Sequence, residues 1–347
     1  MPATSKALLF LLFAPLMATA ASAAESPALA IPDRSFALGW AQHHYLDRHR
    51  TLARTANDLE SAATAFCKSP DAPGLAALQD KWIATFLAWR RVDGAGAAPS
   101  VIARTGRMID FRPARVRDVE SRIGRGEGPA PHNVAVRGLG TLEYLLYGDA
   151  MADQVERLRQ PARCSYAAAT AAMIAVDVRE LDAGWQQQLE RLGGDTDLPR
   201  RNLLAENIGL MISGLDGALA RFPKVRDAAR EAWPDWRSGT TRAAIGAQLE
   251  GFAEAWSGTT DGRQRADTSL AAWMAHQGHG AAADRVDLAF ERTRSAWQAL
   301  PTQLDTPAAD SARLGFIDAV SALKAAMERD VAGTLGVVLG FNDNDGD

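Results

Sequence analysis

The sequence predicts an all-α fold arranged as two helical-bundle domains, and three observations lead there. Apolar residues recur in alternating steps of three and four over long stretches, the repeat of one helix face. No stretch alternates with period two, and β-branched runs are rare. Short breaks rich in Gly, Pro and Asp separate the periodic stretches, which makes successive helices antiparallel neighbours.

In chain order, residues 1–23 read as a signal peptide. Lys6 supplies a positive start, Ala7 to Ala14 with Leu16 and Met17 form the apolar run, and Ala21-Ser22-Ala23 matches the small-x-small cleavage rule. The expected location is the periplasm. No later apolar run approaches membrane-spanning length, so no integral membrane segment is expected. The first long helix carries Tyr45, His49, Leu52, Ala56, Leu59, Ala63 and Phe66 on one face, with Pro70 and Pro73 after it. Leu75, Leu78, Trp82, Phe86 and Trp89 mark the second, which ends near "DGAGAAP". A shorter helix is expected over 132–147, and a third long one carries Ile174, Val178, Leu181, Trp185, Leu189 and Leu192. "GGDTDLP" at 193–199 stops it and is the best domain boundary, giving bundles over 24–192 and 193–347. Helices over 200–221, 240–257, 268–276 and 282–300 follow, then a last stripe of Phe316, Val320, Leu323, Met327, Val331 and Leu335. The irregular stretches 94–131 and 222–239 are expected to decorate the bundles.

The 38 basic against 42 acidic residues give no electrostatic reason to expect a nucleic-acid partner. Cys67 and Cys164 are an even count, read either as one disulfide formed in an oxidising compartment or as two buried thiols.

One stretch raises a chemical question. In "GLGTLEYLLYG", residues 138–148, Val136, Gly140, Glu143 and Tyr147 share a helix face, and Leu139, Leu142 and Leu146 occupy the adjoining one. A carboxylate buried there needs a metal, an arginine or a proton. Seven arginines between 104 and 125 could serve the second option. Gly140 costs about 1 kcal/mol against alanine in a helix interior, which close packing or an approaching ligand would offset. Of the six histidines, His49 falls on an apolar stripe, where it is either a metal ligand or a hydrogen-bonded core histidine. His43 and His44 lie near Asp47, and "HQGHG" at 276–280 is read as a loop after a helix. "WPDW" at 233–236 reads as packing, "DNDGD" at the end as a polar tail. There is no Ser-His-Asp order and no phosphate-cradling glycine loop.

"VRGLGTLEYLLYG" resembles the signature of the imelysin-like family, also called peptidase family M75, in which Gly-x-His-x-x-Glu precedes an apolar helix. Gly138 and Glu143 match, and Gly140 stands at the histidine position. "AWRRVDGAG" from Ala88, "IDFRPAR" from Ile109, "RLGGDTDL" and the terminal "LGVVLGFNDNDGD" extend the resemblance over most of the chain. It implies an exported protein of two bundles related by duplication, acting in bacterial iron uptake or envelope metal handling. The ligand groove would lie between the bundles, lined by Gly138, Gly140, Glu143 and Tyr147, with Asp93, Asp110 and Arg112 from the adjoining segments. Glu143 and His49 are the candidate metal ligands. The expected ligand is iron or another divalent metal, an iron chelate or haem; with the motif histidine missing, no cofactor at all is the alternative. Other envelope iron-uptake proteins are the expected partners. The family's second name implies a metallopeptidase, but zinc-peptidase helices carry two imidazoles one turn apart, so no catalytic residue is assigned. The third reading is an envelope protein-interaction module without a small ligand.

Overall fold

The computed structural model describes residues 29–96, 104–149, 153–224 and 228–339. The signal-peptide expectation over 1–23 and the terminal "DNDGD" lie outside the described residues. Among these residues there is no strand, and no helix is long and apolar enough to cross a membrane.

Helix α1, Arg34–Trp40, starts where the Asp33 carboxylate accepts the Phe36 N–H. It runs through a π-helical turn, Ala41–Leu46, into α2, Asp47–Phe66. The next helix, α3, Ala72–Asp93, has Asp71 capping the Gly74 N–H and Pro73 in its first turn, where proline costs no hydrogen bond. Two short helices follow, α4 (Thr105–Ile109) and α5 (Val116–Gly124). After a 3-10 turn, Val134–Val136, come α6 (Gly138–Tyr147), α7 (Gln154–Leu158) and the long α8 (Pro161–Gly193). The second half holds α9 (Leu198–Leu219), α10 (Thr241–Ser257), α11 (Leu270–Met274), α12 (Gly280–Ala299) and α13 (Asp310–Ala326).

Three local differences from the sequence reading have physical causes. The helix expected over 132–147 is divided, because Gly138 takes φ +79° and α6 starts there. Helix α8 begins well before Ile174, since Ala167 and Ala171 fill packing positions that a search for large apolar residues passes over. "HQGHG" is a tight break and not an extended loop: within the turn Ala275–His279 that joins α11 to α12, Gly278 leaves the helical conformation with φ +87°.

The buried side chains form two cores. The first gathers Leu52 and Leu59 of α2, Trp82 and Phe86 of α3, Leu142 and Leu146 of α6, and Tyr166 and Ile174 of α8. The second gathers Ile208, Phe252, Trp256, Phe290 and Phe316 from α9 to α13. Trp40, Tyr45 and the far end of α8, Trp185 and Leu192, belong to the second core, so the first helical run and α8 pass through both. Helix α10 crosses the end of α3 at Gly251, where a Cβ would stand 1.8 Å from the Arg91 carbonyl oxygen. Cys67 and Cys164 are disulfide-bonded across 97 residues, with Cα atoms 5.6 Å apart, and tie the end of α2 to the start of α8.

Candidate functional site

The site is built on α6. Its first residue, Gly138, combines a positive φ with a Cβ position 2.6 Å from the Ile109 carbonyl oxygen, so only glycine fits. At Gly140, in ordinary helical backbone, a Cβ would lie 2.6 Å from the Phe111 carbonyl oxygen of the adjoining segment. The segment Ile109–Arg112 therefore presses directly on the helix backbone. This close approach delivers Arg112 to Glu143.

Glu143 is 1% exposed. One carboxylate oxygen accepts from Arg112 Nη1 at 2.5 Å. The other accepts from the Ser238 backbone N–H at 3.0 Å and the Ser238 hydroxyl at 2.5 Å. Arg112 Nη1 also donates to the Pro234 carbonyl at 2.8 Å and lies 3.0 Å from Asp235 Oδ1, while its Nε donates to Asp110 at 2.9 Å. Asp110 pairs in turn with Arg90, and Arg90 with Asp93 at 2.8 Å. Asp235 pairs with Arg221, whose Nε donates to Gln248 at 3.1 Å. Three guanidiniums thus alternate with four carboxylates, of which only Asp93, its side chain 40% exposed, reaches much solvent.

The aromatic floor is shared. The guanidiniums of Arg112, Arg90 and Arg221 lie 4.8, 5.2 and 5.7 Å from the Phe86 ring centre, close enough for cation–π attraction. Phe86 stacks on Trp82 at 5.0 Å, and the Trp82 indole donates to the Leu139 carbonyl at the start of α6. Burial pushes the Asp235 carboxyl up, but Arg221, Arg112 and Arg90 together hold it below the usual carboxylate range. Burial pulls Arg112 down, and Glu143 and Asp235 more than reverse that. Burial, reinforced by Glu143, raises the Tyr147 phenol, whose hydroxyl has no hydrogen-bond partner.

Asp93, Asp110, Arg112 and Glu143 are thus brought into one network, with Gly138 and Gly140 making the room. Tyr147 lies one turn along α6, its ring 5.5 Å from Trp82. His49 has other neighbours. Its Nδ1 shares a 2.8 Å hydrogen bond with the Tyr45 carbonyl, which can only accept, and its ring meets the edge of Trp185 at 5.4 Å. Burial pushes it down to about 3. Sequence reasoning missed Arg90, Arg221, Asp235 and Ser238. The one available signal was the acid between two tryptophans in "WPDW", which read as packing. The irregular stretches 94–131 and 222–239 do more than decorate the bundles: they supply Asp110, Arg112, Pro234, Asp235 and Ser238 to its centre.

Transition-metal centres take three or four protein donors. Both Glu143 oxygens already face N–H or O–H donors, and the nearest charged neighbour is a guanidinium, which repels a cation. An imidazole cannot replace Gly140 without moving the Phe111 carbonyl. Among the described residues no three His, Cys, Asp or Glu side chains are grouped to hold a metal ion. The donor set does not fit a metal centre at Glu143, nor the zinc constellation of a peptidase.

A sequence model of the family described as Imelysin (peptidase M75) matches residues 45–328. The fold is similar to the crystal structure of an imelysin-like protein from Psychrobacter arcticum 273-4, with a TM-score of 0.69 at 18% identity, covering 90% of this chain and 100% of that one. It is also similar to a protein from Parabacteroides distasonis ATCC 8503 described as an iron-regulated protein A precursor. There the TM-score is 0.71 at 14% identity, covering 88% and 98% of the two chains. At such identities the likeness is one of fold. A search of curated proteins finds no match.

Proposed function

This chain belongs to the imelysin family, and from that premise we propose that it is an exported, non-catalytic protein of envelope iron handling in which Arg112 takes the place of a metal beside Glu143. The signal-peptide pattern of residues 1–23 supports export to the periplasm. The family, and the iron-regulated description of the Parabacteroides distasonis relative, support the link to iron. In this reading the ligand is a chelate or a protein of the uptake system, received between the two bundles.

One observation supports the loss of the metal above all others: three hydrogen-bond donors, one of them the Arg112 guanidinium, already face the Glu143 carboxylate. A guanidinium supplies the positive charge that a metal would, with planar, fixed geometry. The metallopeptidase reading finds no support in this donor set.

The test is elemental analysis of untagged protein after incubation with Fe(II), Fe(III) or Zn(II) and gel filtration. The expected result is no stoichiometric metal in the wild type or in Glu143→Ala. One equivalent of metal in the wild type that disappears in Glu143→Ala would overturn the reading.

A further inference from the structure

A second constellation lies where α2, α3 and α10 face one another. A cleft of about 420 Å³ opens there, within the size range of small-molecule sites, and none of the residues of the Glu143 network lines it. Its charge is unbalanced. Arg48 is 4% exposed, donates to the Gly251 and Ala95 carbonyls at 2.6 and 2.5 Å, and lies 4.5 Å over the Tyr45 ring. Its Nε has no hydrogen-bond partner, and the Glu254 carboxylate acts on it from a distance without an ion pair among the described residues. Arg242 is also held without a carboxylate: Nε donates to the Leu300 carbonyl at 2.9 Å and the guanidinium stacks 4.7 Å from the Trp297 ring. The third cation, Arg91, is neutralised by Glu254. Against Arg48 and Arg242 the lining sets only Glu250.

Guanidiniums are donors only, and their fork matches a carboxylate. Buried positive charge without a counter-ion is unfavourable, so an oxyanion in the cleft would stabilise the buried Arg48 and pair with the half-buried Arg242. The lining also offers acceptors. The Thr51 hydroxyl donates to the Asp47 carbonyl and accepts from Arg54, and the Thr55 hydroxyl donates to the Leu52 carbonyl, which leaves each oxygen a lone pair for a further donor. We propose that this cleft binds a small hydroxycarboxylate anion, its carboxylate on Arg242 in the field of Arg48 and its hydroxyl on Glu250 and Thr51. Burial, with Glu254 adding to it, pushes the Glu250 carboxyl up against the pull of Arg91, which lessens its repulsion of the anion. The inference stands on this cleft alone and does not depend on the reading of Glu143.

The experiment is isothermal titration of the disulfide-intact, untagged protein with citrate, malate and inorganic phosphate at neutral pH. One site for citrate or malate is expected. Arg242→Gln should weaken it at least about tenfold, as for one charge-assisted pair. Ala243→Trp, at an exposed position on the lining, should abolish it by filling the cleft. Circular dichroism melts of both variants confirm folding. No binding of citrate or malate, or binding unchanged in both folded variants, would overturn the proposal. Phosphate bound as tightly as the hydroxy acids would overturn the ligand class.

Discussion

The Cβ that Gly140 lacks would stand 2.6 Å from the carbonyl oxygen of Phe111. This backbone approach leaves no room for a side chain at position 140, and it sets Arg112 against Glu143. The missing side chain at Gly140 and the Arg112–Glu143 pair follow from the same close approach.

Gly140→Ala should therefore destabilise, although glycine to alanine normally favours a helix interior by about 1 kcal/mol. Backbone overlap costs on the order of 1–3 kcal/mol. Urea unfolding of the variant beside wild type measures it. A variant as stable as wild type would contradict the packing, and Gly140→His should lose more stability and gain no metal.

Arg112→Ala removes the cation shared by Glu143, Asp110 and Asp235. Leaving buried carboxylates unpaired costs about 3–5 kcal/mol. The double variant Arg112→Met, Glu143→Gln should recover part of that, because one orphaned charge is gone. Unfolding midpoints of the two single variants and the double variant give the coupling; strict additivity would deny that the pair interacts.

His49 sets a pH dependence. Burial depresses its folded-state pKa to about 3, below the ordinary value of 6.5. The unfolded chain therefore takes up a proton first as pH falls. Its contribution is complete above pH 6.5 and is lost progressively as pH drops toward 3. Between pH 7 and pH 5 that loss is about 2 kcal/mol. His44, pushed down to about 4 chiefly by burial, acts in the same direction. In His49→Gln the drop in unfolding free energy between pH 7 and 5 should shrink by about 2 kcal/mol; an identical drop would exclude His49 as a source.

The disulfide closes 97 residues of chain between two helices that pack in the first core. In the chain-entropy model its removal costs about 4–5 kcal/mol. Cys67→Ser with Cys164→Ser should lower the thermal midpoint by several degrees, measured by circular dichroism. An unchanged midpoint would show that the cross-link contributes nothing.

The helices were legible because their signal is local. Tyr45, His49, Leu52 and Ala56 repeat at the helical period, and burial of that face follows. The short helices α4 and α5 were not legible, since five to nine residues hold too little periodicity to stand out among Pro, Gly and Arg. That Glu143 is buried and needs a partner also followed from its neighbours Leu139, Leu142 and Leu146. Asp235 and Ser238 did not follow. They lie in a stretch without a repeat, and Ser238 is 95 residues from the carboxylate it serves.

By itself, then, the sequence determined an all-helical chain, one available cysteine pair and a carboxylate in apolar surroundings, because periodicity and composition act over a few turns. Only the tertiary structure decided that Arg112, among seven nearby arginines, meets Glu143, that Ser238 takes the other oxygen, and that the Phe111 carbonyl abuts Gly140. The reason is physical: desolvation and Coulomb attraction depend on distance through space, and that distance is set by how two irregular segments cross a helix.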